Sequence, residues 1–93
     1  MHFILFYDYE GDIVERRAPF RETHMALVQN YVDRGSLILA GPFVDPLDGA
    51  ALIFTGNDRS EVEAFVENDP YVANSLVREW RIRSWNVVAG MNL

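Results

Sequence analysis

Apolar residues along this chain follow two rhythms: runs that are apolar at nearly every position, and stripes that recur every three to four residues. The opening run, His2 to Tyr9 (HFILFYDY), is rich in aromatic and β-branched residues and does not alternate through its middle, which predicts a central strand buried on both faces. Glu10 to Val14 follows as a polar loop around Gly11. Pro19, suited to a first helical turn, then starts a helix that Gly35 ends as a C′ glycine. Within Pro19 to Arg34, Phe20, His24, Leu27, Val28 and Tyr31 share one arc, while Glu22, Gln29, Asn30 and Asp33 point away. Ser36 to Val44 is the second strand. It should break or bulge at Gly41-Pro42, because proline fits a sheet only at an edge or a bulge. Asp45 to Gly49 carries hairpin-loop residues, and Ala50 to Thr55 returns as a third, continuously apolar strand. Asn57-Asp58 opens a second helix, with Asp58/Glu61 and Ser60/Glu63 at capping-box spacing. In the last strand, Val77 to Val88, Trp80 and Ile82 alternate with Arg81 and Arg83 before Trp85 and Val87 change parity, which places a bulge near Ser84.

The order β-α-β-β-α-β is that of a ferredoxin-like α+β sandwich, a four-stranded antiparallel sheet with two helices on one face. Two helices cover only one face, yet the first three strands are apolar on both. The bare face predicts a homodimer, with a second copy packed sheet to sheet.

Composition narrows the partners. Ninety-three residues make one domain, which buries only about 60–65% of its unfolded surface and so gains from a partner subunit. A formal charge of −6 leaves no basic face for a phosphate backbone, so nucleic acid is not an expected partner. All eight basic residues are arginine, and there is no lysine or cysteine, which excludes a Schiff-base lysine, a thiolate nucleophile, a disulfide and a cysteine metal site. The run Phe3 to Tyr7 follows no cationic segment and is too short for a signal peptide or a membrane span; a cytoplasmic protein with no membrane partner is expected.

Candidate chemistry centres on Asp69. Val62, Phe65, Val66 and Asp69 fall on one helical stripe, so a carboxylate closes an apolar face at a helix C-terminus, where the dipole disfavours an anion by about 0.3–1 kcal/mol. Two roles fit it: N-cap of a short helix opened by Pro70, or partner of a cation or donor elsewhere. The two are compatible, because one oxygen can cap while the other faces a partner. His24 sits inside the apolar stripe of the first helix. Alone it reads as a structural histidine; beside Asp69 it reads as a proton carrier whose tautomer the carboxylate fixes. His2, next to Met1, is a strand-end residue, and two histidines do not make a metal site. Arg17 and Arg21 precede His24 by seven and three residues. They either form a cationic line for an anion or pair with Glu15 and Glu22 at a solvated rim, and Pro19 leaves the direction of Arg17 open. No serine sits in a G-x-S-x-G turn, and there is no glycine-rich phosphate loop.

Arg17-x3-Arg21-x2-His24, Gly35, Ala40-Gly41-Pro42 ahead of a hairpin, and Asp69-Pro70-Tyr71 together resemble the YCII-related (YciI-like) proteins along nearly the whole chain. The resemblance implies a dimeric α+β barrel and an active site in which His24 and Asp69 face a small pocket, with Gly41-Pro42 near it. Pro19 early in the first helix and Asn74-Ser75-Leu76, in place of the glycine often found after Asp-Pro-Tyr, depart from the family pattern. The superfamily so implied includes isomerases, dehalogenating lyases, oxygenases and small binding proteins, so fold carries over better than chemistry.

Two functions from different classes follow. One is an enzyme, lyase- or isomerase-like and without a bound cofactor, in which His24 and Asp69 move a proton on a small cyclic substrate. The other is a non-catalytic ligand-binding or accessory protein of the same fold. For both, the gathering of Arg17, Arg21 and His24 beside the aromatic candidates Tyr7, Phe20 and Tyr71 predicts a small anion or an acidic phenol as ligand.

Overall fold

The computed structural model describes residues 1–90. Its four antiparallel strands are β1 (His2–Tyr9), β2 (Leu37–Pro42), β3 (Gly49–Thr55) and β4 (Val77–Trp85), in the spatial order β2-β3-β1-β4. Between them lie α1 (Ile13–Arg16), a single 3₁₀ turn (Ala18–Phe20), α2 (Arg21–Asp33), α3 (Ser60–Asn68) and α4 (Pro70–Ala73). This is the α+β, ferredoxin-like arrangement that the order of elements predicts.

Register decides which side chains meet the helices. Phe3, Leu5 and Tyr7 of β1 pair with Phe54, Leu52 and Ala50 of β3, and all six are buried on one face. The intervening Ile4 and Phe6 pair with Ile53 and Ala51 on the other face and are half-buried. On the inner face Tyr31 of α2, Phe65 of α3 and Phe54 of β3 meet edge to face, with centroids 5.2 to 6.2 Å apart. Such pairs add about 0.5–1.5 kcal/mol each beyond the area they bury. That trio locks both long helices to the central strands and so fixes the distance between the stripes that carry His24 and Asp69.

Two helix ends use the same closure. Ser36 N–H reaches Tyr31 C=O at 3.0 Å and Gly35 N–H reaches Val32 C=O at 3.0 Å, with Gly35 at φ +77°, so α2 ends in a Schellman motif as the C′ glycine predicts. After α4, Leu76 N–H bonds Tyr71 C=O at 2.9 Å and Ser75 N–H bonds Val72 C=O at 3.2 Å, with Ser75 at φ +62°. Here a serine holds the left-handed position where a glycine would carry no Cβ penalty.

Several boundaries differ from the sequence reading, each for a tertiary reason. Part of the polar loop expected at Glu10 to Val14 is α1, because Ile13 buries itself in the core. The helix expected from Pro19 starts as the 3₁₀ turn, and α2 proper begins at Arg21. The bulge expected at Gly41-Pro42 lies at Ile38, where the β2–β3 register steps from Leu37↔Phe54 to Leu39↔Ile53; Pro42 is tolerated because β2 is an edge strand. The bulge expected near Ser84 lies instead at Arg78, opposite the Asp8/Tyr9 step, and β4 ends at Trp85 rather than Val88. The second helix starts at Ser60. Asp58 serves it through an Asx turn to Ser60 N–H at 2.9 Å rather than through a capping box, and the Ser60 hydroxyl first, then that N–H, hold its carboxyl below the usual range.

Candidate functional site

Pro70 disfavours the α region for the residue before it, so Asp69 is extended (φ −79°, ψ 118°) and α3 stops at Asn68. Asp69 thereby becomes the C-cap of α3 and the N-cap of α4, with Oδ1 accepting the Tyr71 N–H at 3.0 Å. The same Oδ1 lies 2.8 Å from His24 Nδ1, and Oδ2 accepts the Tyr7 hydroxyl at 2.7 Å. The cap and the partner readings therefore both hold, and they share one oxygen rather than dividing the two. Asp69 is completely buried. Three donors answer the anion that the apolar stripe and the helix terminus would otherwise disfavour.

Tyr7 was expected to touch a ligand. It is fully buried behind Asp69 and its hydroxyl is spent on that carboxylate, so it is not part of any cavity wall next to His24. Burial first, then the Asp69 charge and the hydrogen bond to it, push the Tyr7 phenol well above its ordinary range, so it stays a neutral donor. Tyr9, two residues along β1 and on the same face, is also buried but takes the place at the cavity. It lines the cavity and is also pushed up by burial, with Arg17 and Arg21 acting in the opposite direction. Period-two spacing from Tyr7 was the signal for Tyr9; only the strand's end point, at the rim of the helical layer, distinguishes the two.

His24 is held on two sides. Its ring stacks on Tyr71 at 3.8 Å and 5° from parallel, and Nδ1 is taken by Asp69. A carboxylate is acceptor-only, so Nδ1 donates and the neutral imidazole carries its lone pair on Nε2, which has no partner among the described residues. His24 is one wall of a cavity of about 150 Å³ that also takes in Arg17, Arg21, Gly41, Pro42 and Tyr71. Met25, Val28, Ala50 and Leu52 supply its apolar side, and Ala40 borders it next to Gly41. Phe20, the third aromatic candidate, packs against the core instead.

Arg17 holds helical dihedrals (φ −72°, ψ −21°) between α1 and the 3₁₀ turn, which settles its direction towards the cavity. Among the described residues neither Arg17 nor Arg21 forms an ion pair; the pairs present are Arg16–Asp12, His24–Asp69, Arg34–Glu61 and Arg59–Glu63. The solvated-rim alternative, with Glu15 and Glu22 as partners, is not what forms. The site thus combines an imidazole with a free nitrogen, two uncompensated guanidinium groups and an apolar wall. A cavity of this volume is about that of an engineered core void that holds one benzene ring. Among the described residues no three potential metal-ligating side chains cluster, and no helix is long and apolar enough to cross a membrane.

Residues 1–86 match the YCII-related domain. The "Protein YciI" chains of Escherichia coli O6:H1 and of Shigella flexneri are each 29% identical to this chain over 95% of its length and 99% of theirs. Among solved structures, the 5-chloro-2-hydroxyhydroquinone dehydrochlorinase TftG from Burkholderia phenoliruptrix AC1100, determined in complex with 2,5-dihydroxybenzoquinone, superposes with a TM-score of 0.77. It is 21% identical, with 92% of this chain and 94% of that one covered, a likeness of fold.

Proposed function

The chain belongs to the YCII-related domain family, and from that membership we propose that it is a proton-transfer enzyme, lyase- or isomerase-like, acting without a bound cofactor on a small anionic or phenolic ring. The observation that carries this reading is the His24 Nδ1 to Asp69 Oδ1 bond of 2.8 Å at the wall of a cavity edged by two unpaired arginines. In the proposed step Nε2 takes a proton from the substrate, and the negative charge that develops on a ring oxygen lies against Arg17 and Arg21. The electron pair either returns to a neighbouring ring atom, which recovers the proton from His24, or expels a leaving group from the adjacent carbon. Asp69 holds the imidazole in the needed tautomer and offsets the imidazolium that forms. The dehydrochlorinase of the same fold acts on a chlorinated hydroxyhydroquinone by name, which is a substrate of this size and acidity.

Turnover of hydroxyquinols and carboxylated lactones, with thermal shift on the same panel, tests the reading. Turnover should be abolished in both His24→Ala and His24→Gln, and ligand binding should survive in His24→Gln, which keeps a donor and an acceptor. Arg21→Gln should weaken anions and spare neutral compounds. A ligand that stabilises the protein but is not turned over by the wild type would favour the non-catalytic, ligand-binding alternative. Stabilisation by neutral or cationic compounds alone would overturn the anionic assignment.

We also infer that a second copy of the chain covers the outer face of the sheet. That face presents Ile4, Phe6, Ile53 and Leu39, the last 56% exposed, and the Arg81 guanidinium lies 4.6 Å from the Phe6 ring centroid. An apolar sheet face of this kind favours self-association through a two-fold interface. Light scattering after size exclusion should give twice the chain mass at micromolar concentration; the mass of a single chain would sink the dimer.

A further inference from the structure

The Tyr9 hydroxyl has no hydrogen-bond partner among the described residues, yet, unlike the equally unpartnered hydroxyl of Tyr71, its oxygen is not closed off from solvent. The rest of Tyr9 is enclosed. Its ring centroid lies 6.2 Å from that of Tyr7 and 6.3 Å from that of Tyr71, and the residue is buried in the wall that Arg17, Arg21 and His24 share. The open end of a side chain so enclosed gives onto the cavity that it lines. Burial first, then Tyr71 and Asp69, push its phenol well above the ordinary range against the pull of Arg17 and Arg21, so at neutral pH it keeps its proton. A guanidinium has no acceptor, so all three groups have protons to give. Nothing in the wall answers them: neither arginine forms an ion pair among the described residues, and Asp69 is completely buried and already accepts from Tyr7, His24 and the Tyr71 N–H.

We propose that the Tyr9 hydroxyl is the third donor of the anion site and binds, with Arg17 and Arg21, the charged oxygen of the ligand. This rests on the anion-binding reading of the two arginines. The arginines supply charge on long side chains, whereas Tyr9 supplies one directed O–H from a ring fixed by Tyr7 and Tyr71. A hydrogen bond from that O–H strengthens as charge gathers on the oxygen, so Tyr9 favours an ionised oxygen over a neutral one and a reacting oxygen over a resting one.

Calorimetric titration with benzoate on wild type, Tyr9→Phe and Arg21→Gln tests this. Benzoate should bind Tyr9→Phe at least about tenfold more weakly than wild type, the lower worth of a hydrogen bond to a charged group. The variant keeps the ring and removes a hydroxyl without a protein partner, so the ligand-free protein should melt no more than about 2 °C lower. In the wild type, the ¹³Cζ resonance of Tyr9 should move on adding benzoate and stay in place on adding benzyl alcohol, a measurement that does not depend on the variant folding. A smaller loss in Tyr9→Phe, with benzoate binding lost in Arg21→Gln, overturns the inference and leaves the anion site standing. A larger fall in melting temperature also overturns it, since the hydroxyl would then be bonded within the protein, and so does a ¹³Cζ resonance that ignores bound benzoate. Absence of benzoate binding to the wild type removes both the anion reading and this one.

Discussion

Asp69→Ala is expected to lower the unfolding free energy by about 3–5 kcal/mol, and Asp69→Asn by only about 1–2 kcal/mol. Alanine strands three donors at once in a place without solvent: the Tyr7 hydroxyl, His24 Nδ1 and the Tyr71 N–H. It also removes the cap of α4, whose Pro70 start depends on the extended Asp69. Asparagine keeps a carbonyl oxygen for the Tyr71 N–H and for His24, and its NH₂ can donate to the Tyr7 oxygen, whose own O–H turns away. What asparagine loses is the charge. Three charge-assisted bonds become neutral ones, and the imidazolium that forms when Nε2 takes a proton loses its counter-charge. The proposed reaction should therefore slow by about 10²–10⁴-fold in Asp69→Asn with the fold retained. Urea denaturation of both variants separates the two effects, and ¹⁵N spectra of His24 should show the proton of the neutral ring on Nδ1 in the wild type. An Asp69→Ala variant within 1 kcal/mol of the wild type would mean that the three bonds do not form together.

Much of this site can be read without coordinates, and the part that cannot has definable causes. The stripe Val62, Phe65, Val66, Asp69 and the stripe holding His24 each follow from helical spacing, so both residues turn inward by local rules alone. That they meet at 2.8 Å depends on the Tyr31–Phe54–Phe65 contact and on α2 crossing the sheet beside α3, which no local pattern encodes. The Gly35 closure was legible because it is a local backbone requirement. The bulges at Ile38 and Arg78 were not, because a bulge answers the register of the neighbouring strand, and the sequence marks only a change of parity. Tyr7 and Tyr9 carry the same side chain on the same face. Assigning one to Asp69 and the other to the cavity takes the position of the strand's end under the helices. The unpaired hydroxyl of Tyr71 is a property of three-dimensional surroundings, and no motif signals it.

Gly49→Ala should lower stability by about 3 kcal/mol or more and disturb the site from a distance, whereas Gly41→Ala should change stability by no more than about 0.5 kcal/mol. A Cβ on Gly49 would overlap the backbone oxygen of Tyr7 and press on the Phe43 ring at 3.4 Å. Gly49 opens β3 against Asp8 of β1, and its own carbonyl accepts the Phe43 N–H at 2.8 Å, so it is held from both sides and has no direction in which to retreat. Relief must come from the β1 backbone at Tyr7. The Tyr7 ring moves with it, its hydroxyl withdraws from Asp69 Oδ2, and the bond that anchors the far side of the His24–Asp69 pair weakens. Gly41 is the contrast. It borders the cavity, yet an added Cβ there meets nothing within 4 Å, so its presence beside Pro42 is not a matter of space for the backbone. Urea denaturation measures both variants on one scale, and calorimetric titration with benzoate shows whether the site follows Tyr7. If Gly49→Ala came within 1 kcal/mol of the wild type, the β1–β3 pairing could part at Tyr7 without loss, and the support of Asp69 would have to come from α2 and α4 alone.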